Sequence, residues 1–416
     1  MSNDICRNLL SVKEIRLLVA DEAHRAQGNY PYLQIVKDVM RGGAQTRIIA
    51  LSATPGVDIP SVKLMIQNLC ISHIELRDEM SPDITPYTHE KQVKKIIVNM
   101  DDEMLTVRRK LLFVLEIYTK KLSLKRAIRN GHNPTTYSRM MLESLRAEFR
   151  QNPPEGMPNA VMGRTEGEFA TAMTLYVGLE RLEYYGLRCF YNYITREPDK
   201  PYAKRIKAEL EKIPVWRDMN ATLKDRFIDD KHNSILSSRS AMSAEVSAKW
   251  GQNLDPSHPK IVKIMDIVDA HFEKYARIGE TRVIIFTELR DSVTELVACL
   301  SGLKPRVKPM PFVGQAISNG KKGLSQKEQI EAIRKFKEGG YNTIVATCVA
   351  EEGLDIGEVD LIILFDVANT PVRFVQRYIL VTLEEYWFYR STYYINFSTL
   401  GWEELEGNAM VKLLLF

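Results

Sequence analysis

The chain has 416 residues, 57 Lys+Arg against 53 Asp+Glu, a net charge of +4, and 45% hydrophobic residues. Those globular proportions exclude wholesale disorder, collagen-like repeats and a disulfide scaffold, and at roughly 100 to 200 residues per domain the length allows about two to four domains. Five scattered cysteines (Cys6, Cys70, Cys189, Cys299, Cys348) without a C-x-x-C pair argue against structural zinc. No run approaches the ~18 apolar residues of a membrane span and the start lacks a signal-peptide layout, so a soluble protein of a reducing compartment is expected, with no membrane partner.

In chain order, Glu14 to Ala20 and Thr46 to Ala53 are short apolar runs flanking a helix-like stretch from Tyr32 to Met40. Strand, helix, strand with continuous buried runs predicts a parallel sheet, whose functional residues belong at the carboxyl ends of strands. From about 100 the strand signals stop. Asp101 to Asn130 carries Met104, Val107, Leu111, Val114, Leu115, Tyr118 and Leu122 on one helical stripe. Further helices are predicted over Thr136 to Arg150, Glu166 to Thr195, Pro201 to Lys212 and Met242 to Trp250, with Asn152 to Gly163 as a Pro/Gly-rich loop. From His258 the alternation returns: helix to Ala276, strand Arg282 to Thr287, helix Arg290 to Leu300, strand Val307 to Val313, helix Ser325 to Lys337, then strands Asn342 to Thr347 and Asp360 to Phe365.

The predicted organisation is thus α/β, with two parallel-sheet domains separated by an all-helical insertion. The boundaries fall at 1–95, 96–255 and 256–377, followed by an aromatic-rich tail, 378–416. Residues 91–250 hold 29 Lys+Arg against 20 Asp+Glu, so the middle is basic. Clusters there, among them Lys121, Lys125 and Arg126, could follow a phosphate backbone, although a solvated helix face gives the same pattern.

The chemistry-bearing motifs sit at strand ends. Asp21-Glu22-Ala23-His24 ends the first strand. In a nucleotide hydrolase one carboxylate of such a pair holds Mg²⁺ at the phosphates and its neighbour activates water. Ser52-Ala53-Thr54 ends the next strand, where hydroxyls can sense the acidic motif; alone it would be a turn or cap signal.

On these motifs, with Ile284 to Glu288 and Thr347 to Gly357, the chain resembles a superfamily 2 DEAH-box helicase. The stretch Phe312 to Gln376, containing EEGLDIGEVDLIILFD, is similar to the Fanconi anaemia group M/Hef family, whose insertion also falls between two RecA-like domains. The resemblance covers about residues 10 to 377. It implies an ATP- and Mg²⁺-dependent nuclear motor that remodels branched or forked DNA, with DNA-repair proteins as partners. Carried over by position, Asp21 holds Mg²⁺ and Glu22 activates water. His24, Ser52, Thr54 and Gln376 couple nucleotide state to DNA. Thr287, Thr347 and Gly353 approach the DNA backbone, and Asp355 faces the nucleotide cleft. Phe286 is read as a core aromatic at least as readily as a DNA contact.

Three departures qualify that expectation. No G-x-x-x-x-G-K-[ST] phosphate loop occurs; Gly314 to Lys322 has its glycines one residue too far apart. Only one strand precedes the acidic motif, so the first domain is expected to be incomplete, with exposed apolar edges. After Arg377 the sequence runs YILVTLEEYWFYRSTYYINFS where the family has a Gly-Arg-Thr-Gly-Arg run, so the arginine fingers are missing. The chain is expected to be truncated at both ends and catalytically incompetent alone, with a gene-model artefact favoured over a sticky interface for 378–416. Two alternatives stand beside this: an RNA helicase of the RIG-I/Dicer kind, whose acidic motif usually has cysteine at the place of Ala23, and a non-catalytic DNA-binding or scaffold fragment.

Overall fold

A computed structural model describes the chain apart from residues 44, 53–54, 57, 79, 86–90, 197–199, 228–255, 276–280, 316–322, 348–355, 358, 367–389, 397–410 and 416. The expected helix at Met242 to Trp250 lies outside the described residues. A short helix, α1 (Ser2–Cys6), opens the chain. Strand β1 (Leu17–Ala20) pairs in parallel with β2 (Arg47–Ser52) across helix α2 (Pro31–Arg41), as the alternation predicts. The start of the first apolar run is instead a 3-10 turn, Val12–Glu14.

Helix α3 (Ile59–Asn68) and strand β3 (Ile74–Asp78) follow, neither anticipated. Asp58 starts α3 by accepting the Ser61 amide at 2.8 Å, a signal that was legible in the sequence. Leu18, Ile48 and Ala50 on one face of this sheet pack against Ile35, Val36 and Val39 of α2 and Met65 of α3. On the opposite face of β1, Leu17 and Val19 are about half exposed, at 54% and 51%. The expectation is of exposed apolar edges; the exposure seen at Leu17 and Val19 lies on a sheet face instead.

Strand β4 (Lys91–Ile97) straddles the expected 95/96 boundary and belongs to the second sheet. The insertion comprises α4 (Asp102–Leu124), α5 (Arg139–Gln151), α6 (Asn159–Tyr185), α7 (Leu187–Thr195), α8 (Pro201–Leu210) and α9 (Pro214–Phe227). The predicted stripe of α4 is its buried face, packed with Phe169 and Leu175 of α6 and Trp216 of α9. Asp101 and Ser138 cap α4 and α5. The single helix expected over Glu166 to Thr195 is two, because Gly186 breaks it at φ 94, a conformation L side chains avoid. The first five residues of α6 fall in the stretch expected as a loop; Pro158, extended at φ −64 and ψ 145, stands just before them.

The second sheet is built on α10 (Pro259–Tyr275), β5 (Val283–Phe286), α11 (Arg290–Ser301), β6 (Pro309–Phe312), α12 (Gln326–Lys337), β7 (Thr343–Ala346) and β8 (Leu361–Leu364). Its strands read as unbroken apolar runs because helices cover both faces. Val283, Ile285, Leu361 and Ile363 meet α10 and α11, whereas Ile284, Phe286, Ile362 and Leu364 meet α12. Two strands come from the tail. β9 (Arg390–Asn396) lies in the second sheet, parallel and in the order β4-β9-β8-β5-β7-β6. β10 (Val411–Leu415) lies antiparallel between β2 and β3, in the order β1-β2-β10-β3.

Candidate nucleotide and nucleic-acid site

The carboxyl ends of β1 and β2 bring the first two motifs together, since Ala20 sits opposite Ala50. Asp21, exposed, accepts the Glu22 amide on Oδ1 at 2.9 Å. Glu22 takes a left-handed conformation, φ 50, which turns the chain sharply into the Ala23–Arg25 turn. Ala23 and Ala26 are fully buried and anchor that turn on the core. His24 Nδ1 then lies 3.2 Å from Glu22 Oε2 and 3.3 Å from Ser52 Oγ.

One ring nitrogen thus faces both neighbours, and which it bonds depends on where the imidazole proton sits. The His24 ring beside it holds the Glu22 carboxyl below its usual range, against the opposing push of burial. Sequence reasoning missed Tyr32, whose hydroxyl donates to the Asp21 carbonyl at 2.8 Å. Its position on α2, facing the end of β1, was the available signal.

Among the described residues no group of three or more His, Cys, Asp or Glu could hold a metal by itself. Asp21 offers one exposed hard oxygen ligand at a strand end. That fits Mg²⁺, which is usually held by one or two carboxylates together with waters and phosphates. An open cleft of about 490 Å³, lined by Asn99, Asp101, His258 and Lys263 among others, includes none of the motif residues.

The second domain corrects two expectations. Thr287 is fully buried at the end of β5, and its hydroxyl donates to Asp366 at 2.9 Å, so it presents no surface hydroxyl to a phosphate. Asp366, just after β8, also accepts the Glu288 amide at 2.7 Å, an organising role the sequence reading did not assign. Phe286 is a core residue. Thr347 is buried too, with its amide on the Phe312 carbonyl, against the expectation that it approaches a DNA backbone. Thr54, Gly353, Asp355 and Gln376 lie outside the described residues.

In the insertion much of the positive charge is spent internally. Arg108 pairs with Glu183, Lys110 with Asp218, and both Arg146 and Arg150 with Glu166. Lys125 Nζ sits 2.7 Å from both oxygens of Glu168, so it is committed within the bundle and not presented to a phosphate backbone. Lys121 and Arg126 are exposed; Lys121 lies over the Tyr118 ring at 4.8 Å. Among the described residues no helix is long and apolar enough to cross a membrane.

Residues 262–378 match the family described as "Helicase conserved C-terminal domain". Over 387 residues the chain is 38% identical to the Fanconi anemia group M protein homolog of Mus musculus, covering 91% of this chain and 19% of that protein. Over 379 residues it is 32% identical to the ATP-dependent DNA helicase MPH1 of Pyricularia oryzae, covering 91% of this chain and 32% of that protein. The crystal structure of the Pyrococcus furiosus Hef helicase domain superposes with a TM-score of 0.58 at 25% identity, covering 96% of this chain and 74% of that one. The chain spans about a fifth to a third of the length of these two curated relatives.

Proposed function

The chain belongs to the superfamily 2 helicases of the Fanconi anaemia group M/Hef type, and from that premise we propose that it is the DNA-engaging part of an ATP-dependent translocase acting on branched DNA in nuclear DNA repair. The observation that carries the reading is the contact between the two motifs, Glu22–His24–Ser52, at the ends of adjacent parallel strands. The relatives named as a DNA helicase and as Fanconi anemia group M protein support DNA over RNA and repair as the setting.

Bound at Asp21, Mg²⁺ would neutralise charge on the β- and γ-phosphates of ATP. Glu22, ionised at neutral pH, is placed to orient a water and take its proton. A change at Glu22 then alters which partner the His24 ring nitrogen bonds, and Ser52 passes that change to the end of β2. Lys121 and Arg126 would neutralise DNA phosphates from the exposed face of the insertion.

Taken alone, these 416 residues bind without appreciable turnover. They contain neither a phosphate cradle nor the arginine run, and an arginine finger is worth roughly 10³ to 10⁵ in rate in other phosphoryl-transfer systems. ATP hydrolysis by the purified chain with and without forked DNA tests this. We expect no rate above that of Glu22→Gln, and a DNA-stimulated rate abolished by that substitution would refute incompetence.

A further inference from the structure

The insertion meets the second sheet through a buried polar seam. At the break between α6 and α7, the Leu187 amide donates to the Ser257 carbonyl and the Arg188 amide to the Ser257 hydroxyl, both at 3.2 Å. The Ser257 amide in turn donates to Glu295 of α11 at 2.9 Å, and Arg188 pairs with that carboxylate at 3.5 Å. His258 Nε2 lies 3.3 Å from the Glu183 carbonyl at the end of α6. A Cβ at Gly186 would fall 2.8 Å from His258 Cβ and 2.9 Å from the Ser257 carbonyl, so the two segments touch with no room for a side chain at Gly186.

Lys260 lies at the centre of this seam, 1% exposed. Its ammonium donates to the Tyr184 carbonyl at the end of α6 at 3.1 Å and to the Phe365 carbonyl after β8 at 3.2 Å. It also sits 5.0 Å from the centre of the Phe365 ring. The next residue after Phe365 is Asp366, whose charge attracts the ammonium and whose carboxylate fixes Thr287 and Glu288. An apolar residue would fill this space without desolvating a charge, so a lysine here demands a reason beyond packing.

We propose that Lys260 is a positioning residue: its ammonium joins the end of α6 to the end of β8 and steadies Asp366 against the Thr287–Glu288 turn, so that the insertion and the second sheet move as one body. This goes beyond the motor reading and is tested without nucleotide or DNA, so the two stand or fall separately. For a motor it means that the basic helices are carried with the second domain and swing with it against the first.

The test is amide hydrogen exchange on the full chain. Lys260→Met should speed exchange at Leu187, Arg188 and Glu288 about tenfold or more, the loss of one charge-assisted hydrogen bond. Exchange within β5 and β7 should stay at the wild-type rate, and Lys260→Arg should restore the three amides. Unchanged exchange at those amides, or acceleration spread evenly through β5 and β7, would overturn the proposal.

A second measurement needs no apolar variant. Burial pulls Lys260 down to about 8. Around it stand Asp366 after β8, His258 before α10 and the Tyr184 ring on α6, 5.9 Å from the ammonium, with Glu183 and Tyr185 flanking Tyr184 in sequence and Glu288 bonded to Asp366. Desolvation holds His258 neutral, at about 3, and keeps the Tyr185 phenol protonated. Glu183 is held by Arg108 at 2.6 Å. Corrected for intrinsic rates, wild-type protection at Glu288 should fall between pH 7 and 9.5 while Lys260→Arg stays flat. A fall of the same size in Lys260→Arg would overturn the proposal.

Discussion

Replacing Arg188 by methionine isolates the cost of the buried seam. Glu295 is 1% exposed, and burial pushes its carboxyl above the usual range, partly offset by Arg188. Removing one partner of a buried pair costs about 3 to 5 kcal/mol, because the survivor is left desolvated and uncompensated. Here the lower end applies: the closest approach is 3.5 Å, Arg188 is 13% exposed, and Glu295 keeps the Ser257 amide. A loss of about 3 kcal/mol at pH 8 is therefore expected.

The sign of the pH dependence follows from linkage. A carboxyl raised in the fold binds a proton before its unfolded counterpart does, so stability falls as pH rises from the unfolded value through the folded one. Without Arg188 that window extends upward, and the penalty should be smaller at pH 5 than at pH 8. Urea unfolding at the two pH values measures it, and Glu295→Gln in the Arg188→Met background should recover most of the loss. A cost under about 1 kcal/mol, equal at both pH values, would refute the argument that a buried charge is being compensated.

Three further outcomes are expected. The Glu22 carboxyl, followed by NMR, should titrate below its usual value and move back up in His24→Ala; its contribution to stability is present above the unfolded value and lost as pH falls through the lowered one, so the two proteins should converge in acid. Gly186→Ala should destabilise by more than about 1 kcal/mol in thermal or urea unfolding, since φ 94 disfavours a side chain and the new Cβ meets backbone. In salt titrations of fork binding, Lys121→Ala and Arg126→Ala should each lower the salt slope by about 1, whereas Lys125→Ala should leave it unchanged.

The sequence was most readable where chemistry and periodicity coincide. The acidic motif and Ser52 both lie at strand ends, and their contact follows from two short parallel strands in register. The second domain's strands were legible as unbroken apolar runs because both of their faces are buried. Residue type alone misled at Thr287 and Lys125: a strand-end hydroxyl and a basic helix residue look available in one dimension. Asp366 lies 79 residues from Thr287, and Glu168 lies 43 from Lys125. The break at Gly186 was hidden because a glycine inside a helical stripe declares itself only through the neighbour pressing on it. Strand β4, rich in lysine, carried no apolar alternation and was missed.

The proposed engagement of branched DNA by this helicase fold is open to direct measurement. It is tested most directly by measuring the binding of the purified chain to forked DNA and to duplex RNA of matched length, across a salt titration. Salt-sensitive binding that favours the fork and weakens when Lys121 and Arg126 are reversed to glutamate is expected. Equal binding to both nucleic acids, or none to either, would contradict it.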